Sequence, residues 1–532
     1  MSTPTLRETY AGKHVLVTGV TGFLGKVWLA MMLDLMPEVR KFTVVARGQK
    51  GQNAEERFRR IVECSPAFRT LRERLGPEFR ALIADKVEVL DAALTRPLCG
   101  LSRDEAKRIM ADIDVVVHFA GLVDFEPDPR QSIDANILGA KNVADLAALS
   151  PSRRYVHCST CFVAGMKSAE IPETITPGLS PNGTRFDPET ELRALEAELE
   201  PLHTRAARID HAMARAKRLG WPNIYTYTKG LSEHMAESRT DLVQTTVRPA
   251  IVECARSYPF PGWNEGVNTS APIVWLLSTT FRRFPARPTT RFDVVPVDTV
   301  ARAVTLATAA VLRGDAKPVY QVASGHLNPL FFDRATELTN LAVRKMHQSS
   351  EDFFVKHVLS RMDAIHVDPD RKQVFGIPEM KRLAGELKDL LRKADLKGRM
   401  PPNLYAKHGE ELDAEVKSLS TKLRTTERKL GTVEEMLKQF RPFIHDYDFL
   451  FRTDHLAEET KKLSGEELEL FGFDIGSLDW RHYWMKIQVP GLETWSIPVL
   501  RGEKVSDDPP LPGWEEPTTA RRAEVVGITV QA

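Results

Sequence analysis

Cysteine is scarce, five in 532 residues, and the count is odd. Secreted scaffolds held by disulfides need dense, paired cysteines, so that class is excluded and the sparse thiols fit a reducing compartment. There is no run of about 18 apolar residues that would span a bilayer, and the stretch from Met1 to Lys13 lacks the apolar centre of a secretory signal. An excess of one charge is missing too: 73 Lys and Arg stand against 72 Asp and Glu, for a net +1, with the two signs interleaved. Without a basic patch, no nucleic-acid partner is expected. The chain reads as cytoplasmic, with contact at a membrane periphery as the most its apolar segments would support. Hydrophobic residues make up 42% of the chain, ample for a large core, and its length exceeds one ordinary domain.

What is present begins with the apolar run His14-Val15-Leu16-Val17-Thr18, which leads into Gly19-x-x-Gly22-x-x-Gly25 and a stretch of helix formers through Ala30. Strand, glycine turn and helix in that order are what phosphate binding at a helix N-terminus requires. A second strand from Lys41 to Ala46 ends in Arg47-Gly48-Gln49-Lys50, where an NAD site would place an acidic residue about 20 residues beyond the turn. Basic groups there suit a 2′-phosphate and favour NADPH, with Arg47 the first contact and Lys50 the second; the other reading makes both solvated loop charges. The strand from Asp114 to Gly121 ends in small residues, which lets a cofactor pass its tip. Asn136 beyond it is read as a polar support, and His118 as a packed strand residue. The strand from Arg154 to Cys158 delivers Ser159 and Thr160 at its C-terminal end, where open α/β sheets bind ligands. Cys158-x-x-Cys161 has a redox or zinc spacing, but no helix start or second ligand pair accompanies it, so both cysteines read as structural. Tyr225 and Lys229 stand four apart and share one helix face. An ammonium beside a phenol lowers its pKa from about 10 and makes a better proton donor near neutrality.

With these motifs in this order, the chain resembles the extended short-chain dehydrogenase/reductases and, within them, the fatty acyl-CoA reductases. The likeness is carried by Thr18-Gly19-Val20-Thr21-Gly22-Phe23-Leu24-Gly25-Lys26, Pro222-Asn223-Ile224-Tyr225-Thr226-Tyr227-Thr228-Lys229, Val247-Arg248-Pro249-Ala250-Ile251-Val252 and Val295-Pro296-Val297-Asp298. Near the other end, Phe471-Gly472-Phe473-Asp474 and Leu478-Asp479-Trp480-Arg481-His482-Tyr483 are similar to that family's C-terminal domain. The resemblance implies an α/β fold, a Rossmann-type doubly wound parallel sheet followed by a mainly helical C-terminal domain. It gives Thr160, Tyr225 and Lys229 the catalytic roles. Around the cofactor it sets Thr18, Gly19, Thr21, Gly22, Phe23, Leu24 and Gly25, with Arg47, Ala120, Lys229 and Pro249, and Asp91 near the adenine. Leu90 stands where the family usually has glycine. The implied reaction is NADPH-dependent reduction of a long-chain acyl-CoA to an aldehyde and on to a primary alcohol, with release of CoA and no metal.

On this reading residues 1–330 form the NADPH-binding reductase domain, with a helical insertion at about 166–222. Residues 331–445 form a helical hairpin turned at Pro401-Pro402, 446–500 a C-terminal helical unit with an aromatic core of its own, and 501–532 a disordered tail. The insertion either roofs an acyl tunnel or decorates the surface. Residues 271–285 put an apolar run against a basic end, fit to line an acyl pocket, touch a membrane or pack in the core. Three other functions share the motifs: a sugar-nucleotide epimerase or dehydratase, a carrier-protein thioester reductase that stops at the aldehyde, and a non-catalytic NADPH-binding scaffold. Acyl length, CoA against acyl carrier protein, and oligomeric state are not written in these residues.

Overall fold

Seven strands alternate their side chains between two apolar layers, as a sheet covered on both faces must. In the computed structural model, which describes residues 4–505 except 50, 268–269, 279–282, 350, 352, 358, 369 and most of 371–433, they are β1 (His14–Thr18), β2 (Lys41–Ala46), β3 (Val87–Asp91), β4 (Val115–His118), β5 (Arg154–Cys158), β6 (Val243–Pro249) and β7 (Val319–Val322). Val15 and Val17 of β1 enter one core with Phe42, Val117 and Val247, while Leu16 enters the other with Val45, Val116 and Tyr155. All pairings are parallel, in the order β3-β2-β1-β4-β5-β6-β7. The doubly wound sheet expected from the sequence is thus present. Its strand order reverses between β1 and β4, and the crevice beyond the carboxyl ends there is where such sheets hold ligands. The register sets Thr18 against His118, His118 against His157, and Cys158 against Val247, which brings four strand tips level.

Seven helices frame this crevice: α1 (Phe23–Leu35), α2 (Ala54–Cys64), α3 (Gly139–Ala147), α4 (Pro188–Leu199), α5 (Arg205–Arg218), α6 (Ile224–Glu237) and α7 (Val297–Arg313). On one face Trp28 of α1 donates its indole N–H to Thr305 Oγ1 of α7 at 3.1 Å; on the other, Val143, Ala144 and Leu146 of α3 pack under Leu16 and Val116. Asp298 in the first turn of α7 accepts from the backbone N–H groups of Arg256, Ser257 and Tyr258, so the Val-Pro-Val-Asp block pins the chain that follows β6.

The insertion packs on the helix that carries the tyrosine and lysine. Leu192, Leu195, Ala212 and Ala216 pack against Ile224, Tyr227 and Leu231, spaced three and four apart on α6, a different stripe from Tyr225 and Lys229. Glu191 of α4 accepts the Tyr227 hydroxyl at 2.6 Å and the Arg215 guanidinium at 2.7 and 2.9 Å. α4 and α5 therefore buttress the outer flank of the helix that carries the tyrosine and lysine.

The expectation of a separate aromatic core in 446–500 is also corrected. Phe449–Phe451 pairs in parallel with Ala169–Ile171. Trp480 donates to Asn328 O at 3.1 Å, the Tyr483 hydroxyl to Cys254 O at 2.7 Å and Trp484 to Thr339 Oγ1 at 2.9 Å. A buried Trp or Tyr needs a partner for its polar edge, and here each partner lies in the first 340 residues, so the segment packs into the same core as α1 and α7. Helix Ser270–Ser278 buries Ala271, Ile273, Val274, Leu276 and Leu277 in that core too, so the apolar part of 271–285 is packing. The hairpin turn at Pro401-Pro402 and nearly all of the tail lie outside the described residues. Among the described residues no helix is long and apolar enough to cross a membrane.

Two carboxyl groups sit deep in this core. Glu253 accepts from Ser270 N and Gln488 Nε2, both at 2.8 Å, and burial pushes it up to about 7; Asp293 accepts from Ser324 Oγ at 3.0 Å and burial pushes it up to about 6. A carboxyl raised on folding lends stability that is complete below its unfolded pKa, about 4.3 for Glu, and is lost as pH rises through the folded value. Buried His118, His157 and His234 and half-buried His366, all lowered by burial, act in the opposite sense. The expected signature is therefore a difference. Relative to the parent, Glu253→Gln should gain stability from pH 5 to about pH 7, by at most about 1.4 kcal/mol per pH unit, and level off above that, in urea denaturation run from pH 5 to pH 8. A parent-to-variant gap that does not change with pH contradicts the assignment.

Candidate active site

The turn after β1 is built for close approach. Gly19 has φ +77°, and a Cβ on it would stand 2.6 Å from Ala120 N; a Cβ on Gly25 would stand 2.4 Å from Gly19 O. With both lacking side chains, the turn folds against the β4 tip, and Gly22 opens α1 without a side-chain cap. The first N–H groups of α1 thus point out of the turn, which is how helix termini receive phosphate. The Thr18 hydroxyl is 2.8 Å from His118 Nδ1 and 3.4 Å from Ala120 N, which ties the β1 and β4 tips together. Phe23 lays its ring 5.1 Å from that of Trp263, and Leu24 packs partly buried on the core.

From Thr21 a cavity of about 710 Å³ runs along α2, lined by Lys26, Arg57, Arg60, Trp263 and Glu265 among others. Lys26 Nζ meets Glu265 Oε1 at 2.5 Å. Arg57 Nη1 donates to the backbone carbonyl of Arg47 at 2.9 Å, so a second guanidinium stands at the β2 tip beside the one the sequence pointed to. Arg47 and Asp91 are exposed, and Asp91 faces Ala46 across the β2–β3 ladder. Lys50 lies outside the described residues.

Thr160 follows the β5 tip and is buried; its hydroxyl donates to Pro249 O at 3.4 Å and accepts from Phe162 N at 3.3 Å. Helix α6 starts with Asn223, whose Oδ1 caps Thr226 N at 2.8 Å, and presents Tyr225 and Lys229 one turn apart. Lys229 Nζ donates to Cys158 O at 2.7 Å; an ammonium has three donors, so two are left for a ligand. Thr160 stands near enough to the Tyr225 phenol to pull its pKa down. Asn136, on the π-helical turn Ile133–Leu138, holds Leu122 through both its backbone groups, at 2.7 and 3.0 Å, and Thr228 Oγ1 at 3.1 Å, tying the stretch after β4 to α6. Ser159 Oγ is buried with no hydrogen-bond partner in the structure.

The expected lowering of the tyrosine is not found. Burial is the largest influence on Tyr225 and lifts it above the ordinary phenol range, against a smaller pull from Thr160, while burial lowers Lys229. The phenol therefore stays protonated through the neutral range. His118 is held neutral, pushed down to about 3 by burial and then by Lys229, as expected of a packed strand residue. Cys161 donates its thiol to Arg248 O at 2.8 Å, both motif cysteines are buried free thiols, and among the described residues no His/Cys/Asp/Glu group could hold a metal.

Several residues of the site were not singled out from the sequence: Lys26 and Glu265, Arg57, the Glu233–Arg248 pair one turn beyond Lys229 (Nη2 to Oε2, 2.6 Å), and the phenylalanines beside Tyr225.

The parallel sheet, its glycine turn at the switch point and the hydroxyl, phenol and ammonium at neighbouring tips define a Rossmann-type reductase of the short-chain dehydrogenase class. The chain belongs to the male sterility protein family, whose sequence profile matches residues 17–304. It is 28% identical to probable fatty acyl-CoA reductase 4 of Arabidopsis thaliana over 509 residues, covering 91% of this chain and 97% of that protein. It is 28% identical to the alcohol-forming fatty acyl-CoA reductase of Simmondsia chinensis, again with 91% and 97% covered, and 28% identical to fatty acyl-CoA reductase 1 of Gallus gallus, with 90% and 83% covered. Among solved structures, the terminal R domain from the myxalamid PKS-NRPS pathway aligns with TM-score 0.52 at 17% identity over 92% of each chain, and the R domain of a nonribosomal peptide synthetase from Mycobacterium tuberculosis with TM-score 0.51 at 16% identity over 94% of each; these likenesses concern the fold. The chain is an oxidoreductase with a nicotinamide cofactor.

Proposed function

We propose that this protein reduces a long-chain fatty acyl-CoA with NADPH to the aldehyde and then to the primary alcohol, releasing CoA. The observation that carries the reading is the convergence of Thr160, Tyr225 and Lys229 beside the glycine turn, in a chain that matches fatty acyl-CoA reductases along about nine-tenths of its length. The residues fit the cofactor: Gly19 and Gly25, where a Cβ would strike neighbouring backbone, let the turn close tightly, and α1 offers its uncapped N-terminus to a pyrophosphate. NADPH, when bound, supplies the hydride for each reduction. Lys229 would hold the cofactor's ribose with the N–H groups that Cys158 does not use. Thr160 and Tyr225 donate hydrogen bonds to the substrate oxygen as it gains negative charge, in a site where burial strengthens each bond. In the first reduction a thiolate leaves, which is feasible because thiols ionise near about 8.5. In the second, Tyr225 gives its proton to the alkoxide, and the neutral state favoured by burial keeps that proton in place.

Arg47 and Arg57 together are read as the 2′-phosphate site. Charge-assisted hydrogen bonds are worth about 1.5–3 kcal/mol each, so Arg57→Ala is expected to raise the KM for NADPH about 10- to 100-fold with little change for NADH. Equal effects on the two cofactors, measured by initial rates, would remove Arg57 from that site. The reading as a whole is tested by following NADPH absorbance and free thiol together with palmitoyl-CoA as substrate. Two NADPH consumed for each CoA released supports it; failure of every acyl-CoA to release thiol sinks it.

A further inference from the structure

The lining of the large cavity includes none of Thr160, Tyr225 and Lys229. The Tyr225 ring instead meets an aromatic cluster through Phe125. Phe125, on the stretch after β4, lies 6.1 Å from Tyr225, centre to centre, and packs on Phe443 at 5.6 Å and edge-on to Phe440 at 5.6 Å. Phe162, two residues past Thr160, meets Phe443 edge-on at 4.9 Å. Phe440 and Phe443 are only 8% and 7% exposed and Phe125 and Phe162 are half-buried, so the rings form an apolar wall that reaches Tyr225 through Phe125.

The four phenylalanines come from three separate places: the stretch after β4, the turn after β5, and the segment that leads into and begins the π-helical turn Pro442–Asp446. None belongs to the glycine turn, to α1 or to the Arg47–Arg57 corner. We propose that Phe125, Phe162, Phe440 and Phe443 seat the first methylenes of the acyl chain against Tyr225 and hold the aldehyde between the two reductions. This inference rests on the four-electron reading above and adds the residues that make it processive.

The reaction sets the need. In the first round the thioester carbon takes a hydride, its C–S bond breaks and CoA departs as the thiol with one proton. The aldehyde then has no CoA tether, yet oxidised cofactor must leave and NADPH must enter before the carbonyl carbon takes the second hydride and its oxygen takes the Tyr225 proton. A ligand gripped by cofactor-contacting residues would be released in that exchange. One gripped by the ring wall would stay, because none of its rings lies on the glycine turn, on α1 or at the Arg47–Arg57 corner. The wall also keeps water from the aldehyde carbon, which would otherwise hydrate it.

The test uses the full chain with palmitoyl-CoA, NADPH and a soluble hydrazine that captures free aldehyde. For the parent, nearly all CoA released should be matched by alcohol, at two NADPH per CoA. For Phe443→Ala the captured aldehyde should rise at least tenfold, and the ratio should fall toward one NADPH per CoA. Phe125→Leu, a milder change, keeps the test open if the alanine variant does not fold, and NADPH affinity reports folding in each case. The same variants should raise the KM for added hexadecanal at least tenfold while leaving that for propanal within twofold, since a three-carbon chain has little to lay against the rings. Folded variants that keep two NADPH per CoA with no captured aldehyde overturn the wall while the alcohol-forming reading stands. A parent enzyme that itself releases only aldehyde overturns both.

Discussion

Tyr225→Phe is expected to lower kcat about 100- to 10,000-fold, the usual range for loss of a positioned general acid, with the affinity for NADPH nearly unchanged. The substitution removes one oxygen from a half-buried side chain and leaves α6, its Asn223 cap and the Lys229–Cys158 contact as they were. What disappears is the proton that burial keeps on the phenol and the hydrogen bond that answers charge developing on the substrate oxygen. Because that interaction strengthens only as the transition state is reached, kcat and kcat/KM should fall together, with KM little affected. Thr160→Ala should show the same pattern with a smaller loss, since it removes one hydrogen bond and no proton. Steady-state rates with cofactor titration by fluorescence decide the matter. A Tyr225→Phe enzyme within threefold of the parent would show that another group supplies the proton.

Glu233→Ala should destabilise the fold by about 3–5 kcal/mol, the range for removing one partner of a buried ion pair. Glu233 lies one turn beyond Lys229 on α6, is 2% exposed, and holds Arg248 of β6 through Nε at 3.0 Å and Nη2 at 2.6 Å. Arg248 is itself 6% exposed, with a further bond from Nη1 to Thr174 O at 3.3 Å. Alanine at 233 leaves that guanidinium buried without its counter-charge. The double replacement Glu233→Leu with Arg248→Met should recover most of the loss, because a buried ion pair is often no more stabilising than apolar residues of similar volume. Urea denaturation of the two variants measures this. If Glu233→Ala unfolds within about 1 kcal/mol of the parent, an ordinary surface-pair value, the pair is not what fastens α6 to the sheet.

Much of the cofactor half was legible in the sequence because its demands are local. A strand of alternating valines, a glycine turn and a helix occupy consecutive residues, and the turn needs Gly19 and Gly25 for steric reasons that act over a few ångströms. Tyr225 and Lys229 were legible for the same reason, since i and i+4 share a helix face whatever surrounds them. Their surroundings were not. The pKa direction of Tyr225 depends on how completely the fold covers it, a tertiary property, and burial outweighed the pull of Thr160. Arg57 looked like any charge on an amphipathic helix until α2 carried it to the backbone of Arg47. The rings of 446–500 were counted correctly as core formers but assigned to the wrong core, because nothing in composition says that Trp480, Tyr483 and Trp484 find their acceptors more than 100 residues earlier. Density of aromatics marks a core; it does not mark whose.

The central claim is that one site delivers hydride twice to the same carbon. The most direct measurement is mass spectrometry of the lipid product formed from palmitoyl-CoA and NADPH deuterated at the transferable position. The account predicts hexadecanol carrying two deuterium atoms, both on the carbon that bore the thioester. Unlabelled lipid, or an aldehyde with one deuterium that the enzyme never converts to alcohol, would contradict it.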